Sequence, residues 1–178
     1  PKTHIVNSVS NLLTRLTKVP IRAGEVGLDF LRASFTKTPR ERFLGEIAAD
    51  VVGMTKGLRE GVKRGLFVMK EGLPTSAVSK LETVSREAIK GKLGKVVRMP
   101  GRLLQAEDEF FKALNSQAEL HAQAYRQSVK EGLKGKDRAK RMADLLDNPT
   151  PDMLDAAQAE ALYRTFQKEL GKTGTAIA

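Results

Sequence analysis

The chain has 178 residues, a net charge of +10 and no cysteine, which excludes disulfides and thiolate metal sites. Its longest apolar runs are four residues, so a lipid-facing membrane-spanning helix is also excluded. Aromatic residues make up only 5% and tryptophan is absent, so we expect contacts with partners or copies of itself to complete the burial of this chain.

The positive charge is unevenly distributed along the chain. Residues 1–100 contain 19 Lys and Arg against 9 Asp and Glu, whereas residues 101–178 contain 12 of each. The first part therefore either faces an anionic partner or exposes a solvated basic surface, and the neutral part is expected to pack on protein. Because the chain starts at Pro1 and has no terminating element, we expect it to be a piece of a longer polypeptide.

Two short helices are predicted at the start, over residues 3–19 and 23–34, with Pro20 ending the first. The apolar residues at helical spacing in the first are Ile5, Val9, Leu12, Leu13 and Leu16, and those in the second are Val26, Leu28, Phe30 and Leu31. Neither segment carries a motif, so both are interpreted as packing or oligomer-contact helices.

A long helix is predicted over residues 38–72. Thr38 is the expected N-cap, Pro39 the first helical residue, and Glu41 the acid that closes a capping box. Gly72 is expected to stop the helix. One apolar face is formed by Leu44, Ile47, Ala48, Val51, Thr55, Leu58, Val62, Leu66 and Met69.

This helix carries a glycine ladder, formed by Gly53, Gly57, Gly61 and Gly65 at four-residue intervals. Each glycine costs a helix about 1 kcal/mol relative to alanine, so the ladder predicts a use, and close approach of another helix is the use that glycine offers. Membrane or pore contact and plain flexibility stay open as alternatives. The basic residues flanking the ladder, Lys56, Arg59, Lys63 and Arg64, exclude lipid on all sides and are predicted to form a surface facing DNA or a membrane.

A further helix is predicted over residues 75–90, followed by a basic, glycine-broken linker or turn over residues 91–101. Gly91 and Gly94 match no nucleotide-binding fingerprint. The basic helical region 1–99 is therefore predicted to be separate from the region that follows it.

The most regular helix is predicted over residues 100–131. Its apolar face contains Leu103, Leu104, Phe110, Phe111, Leu114, Ala118, Ala122, Tyr125 and Val129, of which we assign Phe110, Phe111, Leu114 and Tyr125 to subunit or intramolecular packing. Glu107 lies within this face and needs a partner, with Arg98, Arg102 or a basic residue of a neighbouring helix as candidates; a catalytic role is the alternative. His121 lies about 21 Å further along the helix and is predicted to be a buried helix-contact residue.

Two shorter helices complete the predicted fold. The first covers residues 136–146, with Ala139, Met142, Ala143 and Leu146 inward. The second starts after the cap formed by Thr150 and Pro151 and reaches Leu170, with Gly171 as C-cap and residues 172–178 as a tail. Its predicted inward residues are Met153, Leu154, Ala157, Ala161, Leu162, Thr165 and Phe166.

Within residues 98–171, the segments AEDEFFKALN at 106–115, AELHA at 118–122, AYR at 124–126 and ALYRTFQ at 161–167 form a distinctive set. They resemble a block in large phage-encoded polyvalent proteins, several of which are internal virion, or ejection, proteins of short-tailed phages. None of these motifs is catalytic. The resemblance implies a structural virion protein in the capsid interior that reaches the host cell envelope on ejection and helps to form a helical conduit for genome delivery.

The sequence therefore predicts an all-α fold of long amphipathic helices, with residues 100–171 as the second helical region. No set of nucleophile, base and orienting residues is evident, so we expect no enzyme activity, cofactor or metal. The expected partners are copies of the same chain, other virion proteins, and transiently DNA and the host membrane. The alternative is a basic helical module that binds nucleic acid or a membrane within a larger phage protein.

Overall fold

The computed structural model describes residues 2–72 and 91–165. These residues form five α-helices and no strand, which confirms the all-α prediction. The helices are α1 (Lys2–Thr36), α2 (Gly45–Glu71), α3 (Gly91–Lys130), α4 (Gly135–Asp147) and α5 (Pro151–Arg164). The predicted helix at residues 75–90, Phe166 and the expected C-cap at Gly171 lie outside the described residues.

The first two predicted helices are one helix, so the predicted end at Pro20 is wrong. A proline inside a helix removes one hydrogen bond and costs about 3 kcal/mol. Pro20 is exposed, so its ring meets solvent, and Lys18 and Arg22 on either side of it are held by buried ion pairs. Tertiary contacts therefore stabilise the helix across a proline that was expected to end it.

The predicted capping box at Thr38, Pro39 and Glu41 is also wrong, because residues 37–43 are not helical. The Asp29 carboxylate holds this connection by accepting hydrogen bonds from the backbone N–H groups of Glu41 (2.7 Å) and Arg42 (2.9 Å). The acid that reaches back at the start of α2 is Glu46, which accepts from the Phe43 N–H at 2.9 Å.

The end of α2 follows the prediction. Gly72 takes a left-handed conformation with φ of 73° and donates its N–H to the Val68 carbonyl at 2.7 Å. Only glycine adopts this conformation at no steric cost, so the end of this helix can be predicted from the local sequence.

The predicted linker at residues 91–101 is helical and forms the start of α3, which continues through the exposed Pro100. The predicted end of this helix is confirmed within one residue, at Lys130. Helix α3 is the centre of the fold, since α2, α4 and α5 all pack on it.

Helices α4 and α5 pack on the C-terminal half of α3. Leu120 and Ala124 of α3 form an apolar core there with Leu145, Met153 and Ala157, and Met142 and Leu146 pack against it. The N-cap prediction is confirmed, since the Thr150 side chain accepts from the Met153 N–H at 3.3 Å. The inward assignments of Ala139, Ala143 and Leu154 are wrong, since all three are exposed, and the buried Leu145 was not predicted.

Candidate functional site

The glycine ladder of α2 lies directly on α3. A β-carbon placed at Gly53 would lie 2.7 Å from the Cα of Ala118, and one at Gly57 would lie 2.8 Å from the Cα of Leu114. The two remaining contacts continue the series: Gly61 faces Phe110 and Gly65 faces Ala106. Each four-residue step up α2 is a four-residue step down α3, so the two helices are antiparallel and approach backbone to backbone.

The aromatic residues assigned to packing lie along the same contact. Phe110 meets Gly61 and stacks edge to face with Phe111, with ring centroids 5.2 Å apart. Tyr125 lies against Gly45 at the start of α2. The Arg138 guanidinium is 5.1 Å from the centroid of the Tyr125 ring and donates a 3.0 Å hydrogen bond to its hydroxyl. Tyr125 therefore connects α2, α3 and α4.

The four basic residues beside the ladder differ in their surroundings. Lys56, Arg59 and Lys63 are exposed on α2, whereas Arg64 is half-buried and pairs with Glu60 at 3.1 Å. Three cations of the predicted basic surface are thus available to solvent.

A buried ion network, which the sequence analysis missed, joins four of the helices. Its centre is Lys18 of α1, whose side chain is 1% exposed. The Lys18 ammonium lies 3.0 Å from Asp50 of α2, 3.4 Å from Glu119 of α3 and 3.2 Å from Glu160 of α5. Buried charges persist only when they are paired, so these contacts fix α1 against three other helices.

Three arginines complete this ion network. Arg15 donates to Asp50 at 2.7 Å, Arg22 donates to Glu119, and Arg164 donates to Glu160 at 2.9 Å. With Lys18, the network holds four cations and three carboxylates, which leaves one positive charge in excess. Burial lowers the pKa of Arg15, while the adjacent Asp50 opposes that shift. Burial alone would raise the pKa of Glu160, but Lys18 and Arg164 hold it below its ordinary value.

The signal for this network was present in the sequence. The buried polar residues Asn11, Arg15, Lys18 and Arg22 of α1 recur every three or four positions, as a helix face requires. The buried Val26 and Asp29 continue the same spacing. Their register is as regular as that of the apolar residues. It was missed because the apolar side of a helix is ordinarily the buried one.

Most large apolar residues of α1 and α2 are exposed. All five apolar residues predicted for the first helix are exposed, by 48% to 64% of their surface. The buried residues of α2 are Glu46, Ala49, Asp50, Gly53, Gly57, Gly61 and Val68, and its exposed large apolar residues are Val51, Val52, Leu58, Val62, Leu66 and Phe67. Apart from Val26 and Val68, both helices therefore bury polar or small residues and expose most of their large apolar ones.

Two polar residues that were candidates for a chemical role, His121 and Glu107, make hydrogen bonds within the fold. His121 is buried beneath Gly53, as predicted, and its Nδ1 donates to the Gln117 carbonyl at 2.8 Å. Burial lowers the pKa of His121, which favours the neutral ring. Glu107 accepts a 3.2 Å hydrogen bond from the Ser8 hydroxyl, and Arg102 donates to the carbonyls of Met69 and Lys70.

Within residues 2–72 and 91–165, no group of three His, Asp or Glu side chains is placed to hold a metal ion. None of the helices in those ranges is long and apolar enough to cross a membrane. In comparisons with known proteins, no family model, no curated protein and no solved structure matches this chain.

Proposed function

We propose that this chain is a structural, non-enzymatic subunit of a helical assembly. The observation that carries the proposal is the outward apolar surface of α1 and α2, because a soluble monomer rarely leaves so many large apolar side chains in water. The buried polar side chains of both helices, such as Lys18 and Asp50, are already paired within the subunit, whereas the large apolar side chains are exposed to other molecules.

The setting of this assembly follows the resemblance of residues 98–171 to phage polyvalent proteins. We place the subunit inside a virion as an ejection protein that helps to form a helical conduit for genome delivery into the host. A conduit cannot bind DNA tightly, because strong phosphate contacts would stall transit. The charges of the ion network support this role, since three of its four cations come from the basic N-terminal region and face carboxylates rather than solvent.

A second candidate function is a basic module that binds nucleic acid or a membrane. It is favoured by the exposed cations Lys56, Arg59 and Lys63, which lie beside exposed apolar residues on α2. A steep fall in DNA affinity with rising salt would support the nucleic-acid version. Co-sedimentation with anionic liposomes would support the membrane version.

The test is the mass of the purified chain by mass photometry, at low and high salt and with or without liposomes. Discrete closed oligomers in buffer are expected. A monomer under every condition would remove the main support for a conduit-forming subunit.

A further inference from the structure

The exposed side of α1 carries the spacing of a coiled-coil seam. Its core residues are separated alternately by four and three positions: Ile5, Val9, Leu12, Leu16, Val19 and Ala23. This 3.5-residue average is the heptad repeat that keeps one seam facing a partner helix. The five larger residues of this set are 43% to 64% exposed, so none of residues 2–72 and 91–165 covers the seam.

The seam is wider than a two-stranded coiled coil requires. Val6, Leu13 and Pro20 each follow a core residue by one position, recur every seven residues and are exposed. An apolar face that adds such a third position to the two core positions is the pattern of helices in bundles, where each helix meets more than one neighbour. We call all these residues together the outer face of α1.

The charges of α1 favour protein over lipid at this face. Helices that lie on anionic membranes keep Lys and Arg exposed beside their apolar side. In α1 the cations Arg15, Lys18 and Arg22 are turned inward and paired. Between Ile5 and Phe35 of α1, the exposed charged side chains are Glu25 and Arg32; both lie beyond the outer face, and Arg32 pairs with Asp29 at 2.8 Å. The outer face therefore suits a dry apolar contact.

The size of the face agrees with contacts to two neighbours. From Ile5 to Ala23, the outer face is about 27 Å long and roughly 10 Å wide, on the order of 270 Å². One pair of such strips would bury about 540 Å² in total, about half of the roughly 1,000 Å² expected of a specific interface. A second neighbour doubles the buried area and brings it to about that bound.

We propose that the outer faces of α1 from three or more copies of this chain pack together as a helical bundle, while each α1 stays fixed to its own subunit by the ion network. This inference rests on the proposed function and names the surface that builds the assembly. Because Arg15, Lys18 and Arg22 are buried and paired with carboxylates inside each subunit, they add little repulsion between neighbouring copies.

The first experiment compares two matched double variants of the full chain by mass photometry. Leu12→Glu with Leu16→Glu places charges in the seam, and Val62→Glu with Leu66→Glu places them on α2 at similar exposure. Exposed substitutions change folding little, and circular dichroism checks that helicity is retained. We expect wild type and the α2 variant to form the same closed oligomer of three or more copies, and the α1 variant to be monomeric.

The other outcomes decide against one or both of the two proposals. If the α1 variant assembles as wild type does, this inference fails while the proposed function stands. If wild type is monomeric in all conditions, both this inference and the proposed function are refuted. If wild type is monomeric in buffer but binds anionic phosphatidylglycerol vesicles through Leu12 and Leu16, the outer face is a lipid surface and the bundle is refuted.

A crosslinking experiment reads the contact directly, because the native chain has no cysteine. Leu12→Cys is expected to form disulfide-linked dimers on mild oxidation, since equivalent seam positions of neighbouring helices lie close together. Leu66→Cys, which is similarly exposed on α2, is the control and is expected to stay monomeric on a denaturing gel. Equal crosslinking of both variants would contradict a contact specific to α1.

Discussion

The closeness of α2 and α3 predicts that Gly57→Ala destabilises the fold, although alanine is the better helix former. The added methyl group would lie 2.8 Å from the Leu114 Cα, 3.1 Å from the Leu114 carbonyl oxygen and 3.2 Å from the Ala113 carbonyl oxygen. All three atoms belong to the backbone of α3, so relief requires the helices to separate.

The size of the effect follows from two opposing contributions. Overpacking a close contact costs about 1–3 kcal/mol, and three short backbone contacts place this site at the upper end. The gain in helix propensity returns about 1 kcal/mol, which leaves a net loss of about 2 kcal/mol in the free energy of unfolding.

The matched control is Gly24→Ala in α1, where, among the described residues, no atom beyond the adjacent residues and the local helix backbone lies within 4 Å of the added methyl group. Only the higher helix propensity of alanine contributes at this position, so the free energy of unfolding is expected to rise by up to about 1 kcal/mol. Urea unfolding followed by circular dichroism, at one protein concentration for all variants, measures both changes. A Gly57→Ala variant as stable as wild type would refute the tight backbone approach, and Gly24→Ala shows whether propensity behaves as assumed.

Four further predictions concern single polar residues. Asp50→Asn leaves three buried cations without their shared carboxylate and should cost about 3–5 kcal/mol in urea unfolding, whereas Asn at the exposed Asp155 should be near neutral. Lys18→Met should cost less than Asp50→Asn, because three arginines then balance three carboxylates; an equal or larger loss would contradict the charge count. Hydrogen bonds from the backbone N–H of Arg42, and then of Glu41, lower the pKa of Asp29 from 3.8 to about 2. Its stabilising contribution is therefore fully present above about pH 4 and is lost as the pH falls towards 2, and Asp29→Asn should flatten thermal stability across that window. Thr150→Ala removes the N-cap of α5 and should lower the free energy of unfolding by about 1 kcal/mol in urea unfolding; an unchanged value would show that this cap does not stabilise α5.

The ion network changes how the charge of the chain is interpreted. Three of the 19 cations in the basic N-terminal region, Arg15, Lys18 and Arg22, are buried and paired. They cannot contribute to a surface that attracts DNA or lipid. The alternatives drawn from net charge, an anionic partner or a solvated basic face, therefore apply to the exposed cations such as Lys56, Arg59 and Lys63.

The sequence by itself determined the all-α class and those helix ends that depend on local chemistry. Gly72 ends α2 by its left-handed conformation, and Thr150 with Pro151 begins α5, because these signals act within one helical turn. The glycine ladder also indicated a close helix contact, but the sequence did not show which helix packs against it. The end signal at Pro20 failed, since tertiary ion pairs on both sides of it outweigh one lost hydrogen bond.

Only the tertiary structure decided which side of each helix is buried. Periodicity shows that residues share a face, but it does not show what lies opposite that face. The inner side of α1 is polar because Asp50, Glu119 and Glu160 arrive from three other helices to pair with its cations. Those carboxylates are far from Lys18 in sequence, so no local pattern could predict the ion pairs. Without the ion pairs, the outward orientation of the apolar face of α1 could not be predicted either.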